Sequence, residues 1–277
     1  MKDMLKDKIA IVTGATSGMG TAIAVDFARE GAKVVVCGRN QDKAKAVVDQ
    51  IVSEGGEAVT FGVFDVEDTD SIKMTVDKTM EKYGRIDILA AFAGGTFNNR
   101  QDLTAKEMYD KTVSVNMTGT YDTVFAVVPI MKEQKSGNII ICSSNGAFNP
   151  TTTPYDYHMS KGACEALTVN LAFDLAPLGI RVNCIKPGPI VTGFWDELLP
   201  EGPERDALFE GISSLEVPLH RMGTPEDISG VALFFASELS AYVTGLCMYV
   251  AGGTGYIFSE NQSFINGKAA TGKAMEE

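Results

Sequence analysis

Histidine is scarce in this chain: His158 and His220 are the only two, and no HExxH or Cys/His cluster occurs. Too few well-spaced ligands are present for a zinc site, so no metal is expected. The five cysteines (Cys37, Cys142, Cys164, Cys184 and Cys247) are odd in number, scattered and without a CxxC pair. They read as reduced thiols of a cytoplasmic protein rather than a disulfide framework. Positive charge is in deficit, with 24 Lys and Arg against 36 Asp and Glu and a formal charge of −12. Such a chain repels phosphates and anionic lipid, which argues against nucleic acid and membranes as partners. Long apolar runs are missing too, since the longest uncharged ones, 124–131 and 231–236, are too short to span a bilayer. The first seven residues are charged and carry no signal-peptide apolar region, so a soluble protein not exported by that route is expected.

What is present suits a globular fold. Of 277 residues, 45% are hydrophobic and 22% charged, enough to bury and solvate a full-sized core. Short β-branched runs alternate with longer amphipathic segments, the pattern of a parallel sheet covered by helices. Strands are expected at 8–13, 33–37, 57–61, 86–91, 137–142, 180–185 and 246–250, and helices at 18–30, 40–54, 68–83, 104–133, 155–176 and 225–237. No linker or repeat interrupts them, so the chain reads as one α/β domain over 1–277, a Rossmann-type doubly wound sheet of about seven strands. Residues 188–218 break the rhythm with repeated Gly and Pro among Phe194, Trp195, Leu198, Leu199, Phe209 and Ile212. Composition allows two readings: a mobile flap over a pocket, or a surface loop with its own small core. The tail, about 254–277, is polar and rich in Gly, Ser, Asn and Lys; it reads as flexible or as packing on a neighbouring subunit.

The first strand runs into Thr13-Gly14-Ala15-Thr16-Ser17-Gly18-Met19-Gly20 and then into a helix. Glycines there let the backbone approach a pyrophosphate, and the helix N-terminus favours its charge. Gly14, Thr16, Ser17, Gly18, Met19 and Gly20 are therefore candidate cofactor contacts. The second strand ends Cys37-Gly38-Arg39-Asn40, without the acid that would hold a ribose 2′-hydroxyl. A guanidinium at Arg39 pairs instead with a 2′-phosphate, so NADP(H) is favoured and NAD(H) stays possible.

Tyr157 and Lys161 stand four residues apart, on one face of a helix. A phenol titrates near pH 10 and is a poor acid-base group at neutrality, whereas an adjacent ammonium favours phenolate. Tyr155 has Met159 at that spacing and is set aside. Ser144 follows the strand at 137–142, at the edge where parallel sheets present ligand sites, and its hydroxyl suits a substrate oxygen.

With these motifs the chain resembles a short-chain dehydrogenase/reductase of the classical type over about residues 5–255. TGATSGMG is similar to that family's TGxxxGxG; Asp65-Val66 to its adenine-contacting pair; Asn116, Ser144, Tyr157 and Lys161 to its catalytic tetrad; Pro187-Gly188 with Ile190 and Thr192 to its nicotinamide segment. The resemblance implies hydride transfer between nicotinamide and a carbonyl or carbinol carbon. Tyr157 would move the proton, Ser144 polarise the oxygen, Lys161 bind the ribose and lower the Tyr157 pKa, and Asn116 hold a water linking Lys161 to solvent. One departure stands out: Ala91-Phe92-Ala93-Gly94 replaces the family's Asn-Asn-Ala-Gly. Ala93 and Gly94 still admit the cofactor, but lost amides predict weaker binding.

The flap holds seven acids and one strong base, Arg205, which disfavours docking of an acidic carrier protein. Its aromatic and leucine residues suit a large apolar pocket. Gly94-Gly95-Thr96 and the segments around Tyr242-Val243-Thr244-Gly245 and Val250-Ala251-Gly252-Gly253 are similar to bacterial hydroxysteroid dehydrogenases, particularly a 7α-type branch. A hydroxysteroid or other polycyclic small-molecule substrate is favoured. A 3-oxoacyl thioester, a flavonoid-type ketone, and a cofactor-binding regulator without turnover remain open. The resemblance also implies a homotetramer, or a homodimer, built on the helices at 104–133 and 155–176 and the last strand.

Overall fold

The computed structural model describes residues 3–97, 100, 102–149, 153–196 and 199–254. Seven strands run parallel in one sheet: β1 (Ile9–Thr13), β2 (Lys33–Cys37), β3 (Glu57–Val59), β4 (Ile88–Ala91), β5 (Gly137–Cys142), β6 (Ile180–Pro187) and β7 (Cys247–Val250). Their order is β3-β2-β1-β4-β5-β6-β7, which reverses direction between β1 and β4. That reversal opens a crevice beyond the carboxyl ends of the strands, where doubly wound sheets bind ligands.

The strands are apolar on both faces because both are covered. Against one face pack α1 (Gly18–Arg29), α2 (Gln41–Ser53) and α8 (Pro225–Ala236), with Ile23, Phe27, Ile51 and Phe235 fully buried. Against the other lie α3 (Thr69–Tyr83), α5 (Gly119–Gln134) and α6 (Tyr155–Leu175), joined to Ile11, Leu89, Ile139 and Val182 of the strands. Among the described residues no helix is long and apolar enough to cross a membrane.

Two expected elements differ. The single helix at 104–133 is three pieces: α4 (Ala105–Thr112), a π-helical segment Val113–Thr118, and α5. The wider π turn accommodates an extra residue and turns Asn116 inward, where it is fully buried. Segment 188–218 is not all loop, because α7 (Pro203–Leu215) starts at its proline. Trp195 meets Phe209 edge-on at 5.2 Å and Phe194 at 6.0 Å, and its indole N–H donates to the Ile190 carbonyl at 2.7 Å. Arg205 is buried against Asp196 and Glu201. The segment thus has a small core of its own; Leu198, expected in it, lies outside the described residues, as does most of the tail.

Candidate active site

The turn after β1 is built by backbone crowding. Gly14 has φ +67°, and a Cβ on Gly20 would lie 2.2 Å from the Gly14 carbonyl oxygen, so no larger residue fits where α1 approaches the turn. Ser17 is the N-cap residue of α1, yet its side chain makes no capping bond. The first N–H groups of the helix are left without a side-chain acceptor, an arrangement suited to an anion. Thr16 packs against Gly38, and Met19 packs on the core around α1.

At the end of β2, Arg39 is exposed and makes no protein hydrogen bond or ion pair among the described residues. Asn40 caps α2, its Oδ1 accepting from the Lys43 amide at 3.0 Å. Asp65 is half-buried and Val66 is buried beneath Gly119. The uncapped helix, the glycine cradle and the unpaired guanidinium line one edge of the crevice and fit a dinucleotide.

The departure at Ala91-Phe92 has a local compensation. Both residues are buried, and the Thr13 hydroxyl accepts from the amides of Phe92 and Ala93, each at 3.1 Å. Polar support between β1 and β4 therefore comes from a residue that sequence reading counted only as part of the cradle motif.

Farther along the crevice, Gly94 abuts two members of the expected tetrad: its Cβ position is 3.0 Å from Asn116 Oδ1 and 3.2 Å from Lys161 Nζ. Asn116 is tied to the same loop. Its Oδ1 accepts from Gly95 N at 2.9 Å, and its Nδ2 donates to Gly95 O at 2.9 Å and to Ser160 Oγ at 3.2 Å. The ammonium of Lys161 donates to the Cys142 carbonyl at 3.0 Å and sits 5.9 Å from the Tyr157 ring centroid.

Tyr157 is hydrogen-bonded to Ser144, whose Oγ accepts from the Gly146 amide at 3.1 Å. Burial pushes the phenol above its ordinary value; the Lys161 charge and the Ser144 bond pull the other way without overcoming it. The expected lowering by Lys161 is thus present but outweighed. Lys161 itself is held above the usual ammonium range: burial opposes its charge, and the neighbouring Cys142 thiol and Tyr157 phenol support it.

Phe194 faces Tyr157 with ring centroids 6.3 Å apart, an aromatic wall on the substrate side. The segment beyond β6 closes the crevice. Pro187 is buried, Gly188 donates to Val250 O at 3.0 Å, and Ile190 bridges to Gly223. Thr192 reaches across to the cradle, its Cγ2 2.9 Å from where a Gly18 Cβ would stand. Among the described residues no three His, Cys, Asp or Glu side chains are grouped to hold a metal.

A family profile described as "Enoyl-(Acyl carrier protein) reductase" matches residues 14–255. The chain belongs to the short-chain dehydrogenase/reductase family. It is 37% identical over 252 residues to Dehydrogenase/reductase SDR family member 4 of Sus scrofa, covering 90% of this chain and 88% of that protein. To the 3-oxoacyl-(acyl-carrier-protein) reductase of Thermotoga maritima it is 35% identical over 249 residues, covering 90% and 98%. A solved 7α-hydroxysteroid dehydrogenase, complexed with NADH and 7-oxo glycochenodeoxycholic acid, superposes with a TM-score of 0.81 at 33% identity, covering 91% of this chain and 96% of that one. The protein is an oxidoreductase of this family, whose fold binds a nicotinamide cofactor.

Sequence reading passed over three side chains beside this site. Ser143, set aside next to Ser144, donates toward Glu165, which in turn pairs with Lys186. Burial of all three charged or polar groups is the signal, and it is invisible without the fold.

Proposed function

We propose that the protein is an NADP(H)-preferring ketone reductase or secondary-alcohol dehydrogenase acting on a hydroxysteroid-like or other polycyclic substrate. The observation that carries the reading is the stack at Tyr157: Ser144 bonded to the phenol, Lys161 behind the ring and Phe194 in front of it. When bound along the cradle, the nicotinamide supplies or accepts the hydride. Ser144 Oγ accepts from Gly146, and its own proton meets Asn145 Oδ1 only at 3.4 Å, so that proton can be donated to a substrate oxygen beside the Tyr157 hydroxyl. Tyr157 then gives its proton to the oxygen in reduction, or takes it in oxidation. Lys161 keeps a positive charge against the phenol, which stabilises the phenolate left after reduction. Asn116 orients the loop at Gly94 and Gly95, so that the cofactor approaches Lys161.

The unpaired Arg39 supports a 2′-phosphate, hence NADP over NAD, although the solved relative holds NADH. Gly14, Thr16, Ser17, Gly18, Met19 and Gly20 would hold the pyrophosphate side. Asp65 and Val66 would meet the adenine, and Ala93, Gly94, Pro187, Gly188, Ile190 and Thr192 the nicotinamide half. A 3-oxoacyl thioester is the second reading, supported by the Thermotoga relative and opposed by the acidic flap.

The stacked, exposed Tyr121 and Phe125 on α5, and Phe173 on α6 at 83% exposure, support a homotetramer or homodimer in the cytoplasm. Incubation with NADPH and a steroid ketone, a flavanone or an acetoacetyl thioester, followed by loss of nicotinamide absorbance, tests the function. Turnover of the steroid ketone is expected; consumption with the thioester alone would overturn the substrate class, and none at all would favour a regulator.

A further inference from the structure

One turn beyond Lys161 on α6, Glu165 is buried with its carboxylate against the ends of two strands. The Lys186 ammonium, buried at the end of β6, lies 2.9 Å from its Oε1 and 3.0 Å from its Oε2. Ser143, just past β5, places its hydroxyl 3.0 Å from Glu165 Oε1 and 3.0 Å from the Lys161 carbonyl oxygen. The hydroxyl has one proton to give, and the carboxylate is the stronger acceptor. Lys186 also lies over the Tyr249 ring at 4.1 Å. The Tyr249 hydroxyl receives a bond from Asn149 Nδ2 at 3.0 Å, and the same amide donates to Asn145 O at 2.8 Å. The turn from Ser144 to Asn149 is therefore fastened at its start through Ser143 and Glu165, and at its end through Asn149, Tyr249 and Lys186.

A buried ion pair is an expensive way to fill space. An apolar pair of similar volume is commonly neutral or stabilising in its place. What the pair does supply is direction, because its bonds join the three elements that carry the reacting side chains and the strand end at Pro187-Gly188. We propose that Glu165 and Lys186 are positioning residues: a buried ionic clamp that holds Ser144, through Ser143, in register with Tyr157 and Lys161. The inference rests on the oxidoreductase reading of this site.

The test uses the full-length double variant Glu165→Leu/Lys186→Met and the single variant Ser143→Ala beside the parent. Three measurements are made: thermal unfolding, NADPH affinity by fluorescence, and kcat with the best ketone; the double variant is also crystallised. A melting temperature at or above the parent's and unchanged NADPH affinity are expected, with kcat lower by roughly tenfold to a hundredfold, the scale of a small misplacement of reacting groups. In the crystals the Ser144 hydroxyl should have left the Gly146 amide. A folded double variant with parental kcat overturns the clamp, as does a loss of kcat with Ser144 unmoved. Should the double variant fail to fold, parental kcat in Ser143→Ala overturns it equally. A parent that turns over no substrate counts against the proposed function, and the position of Ser144 in the crystals then decides the clamp alone.

Discussion

The Lys161 ammonium stands 5.9 Å from the centre of the Tyr157 ring and spends one of its protons on the Cys142 carbonyl, while the phenol itself is wholly enclosed. Charge and enclosure act on the phenol in opposite senses, and enclosure prevails. Reduction consumes the protonated phenol and oxidation the phenolate. Reduction should therefore hold its rate through neutral pH and fall only as pH rises past the elevated phenol value, whereas oxidation should climb throughout the alkaline range. Replacing Lys161 with Met removes the opposing charge and should move both limbs to still higher pH. Initial rates in both directions across a pH series would check this, and a downward displacement would contradict it.

Tyr157→Phe keeps the ring against Phe194 but deletes the transferable proton. Turnover should drop by about a hundredfold to ten-thousandfold, the usual contribution of a positioned acid-base group, with NADPH affinity retained. Steady-state kinetics beside fluorescence titration of the cofactor would separate the two effects.

Cofactor choice should be invertible at β2. Changing Arg39 to Asp removes the cation and places a carboxylate where a ribose hydroxyl can use it. The ratio of kcat/KM for NADPH over NADH should fall at least about tenfold, equal to some 1.4 kcal/mol. An unchanged ratio would mean that the guanidinium does not meet the 2′-phosphate.

Thr13→Val tests the substitute for the missing amides. It leaves the Phe92 and Ala93 amides without an acceptor beneath the cradle, at a cost of about 1–3 kcal/mol for each buried donor left unpaired. Denaturant unfolding should report the loss, and the NADPH dissociation constant should rise with it. Ala91→Asn, which the sequence alone nominated as a tightening change, puts an amide among the buried apolar side chains around β4; tighter NADPH binding would show that Thr13 compensates only in part.

The alternation of apolar runs made all seven strands legible, since each must bury both faces between helices. Their ends shift by a residue or two, as at β4, which begins at Ile88 because Asp87 is occupied with the Ile9 amide and Arg85. The cradle and the Tyr157–Lys161 spacing were equally readable, since both depend on contacts within one or two turns of chain. Harder to see were features made by distant residues. α7 was masked by the Gly and Pro residues around it, although Pro203 is a helix-starting signal. Glu165 and Lys186 read singly as solvated charges, and only the pairing of β5, β6 and α6 buries them together.

The six residues Val113–Thr118 also fix the angular phase of α5. Each residue of an α-helix advances the chain by about 100° around its axis, so deleting one here would rotate everything downstream by that amount. Val124, Val127, Val128 and Met131 would swing off the sheet, and water would reach the strands they now cover. Length in this stretch is thus less forgiving than identity: a change of side chain alters one contact, whereas a gain or loss of a single position misaligns a whole layer.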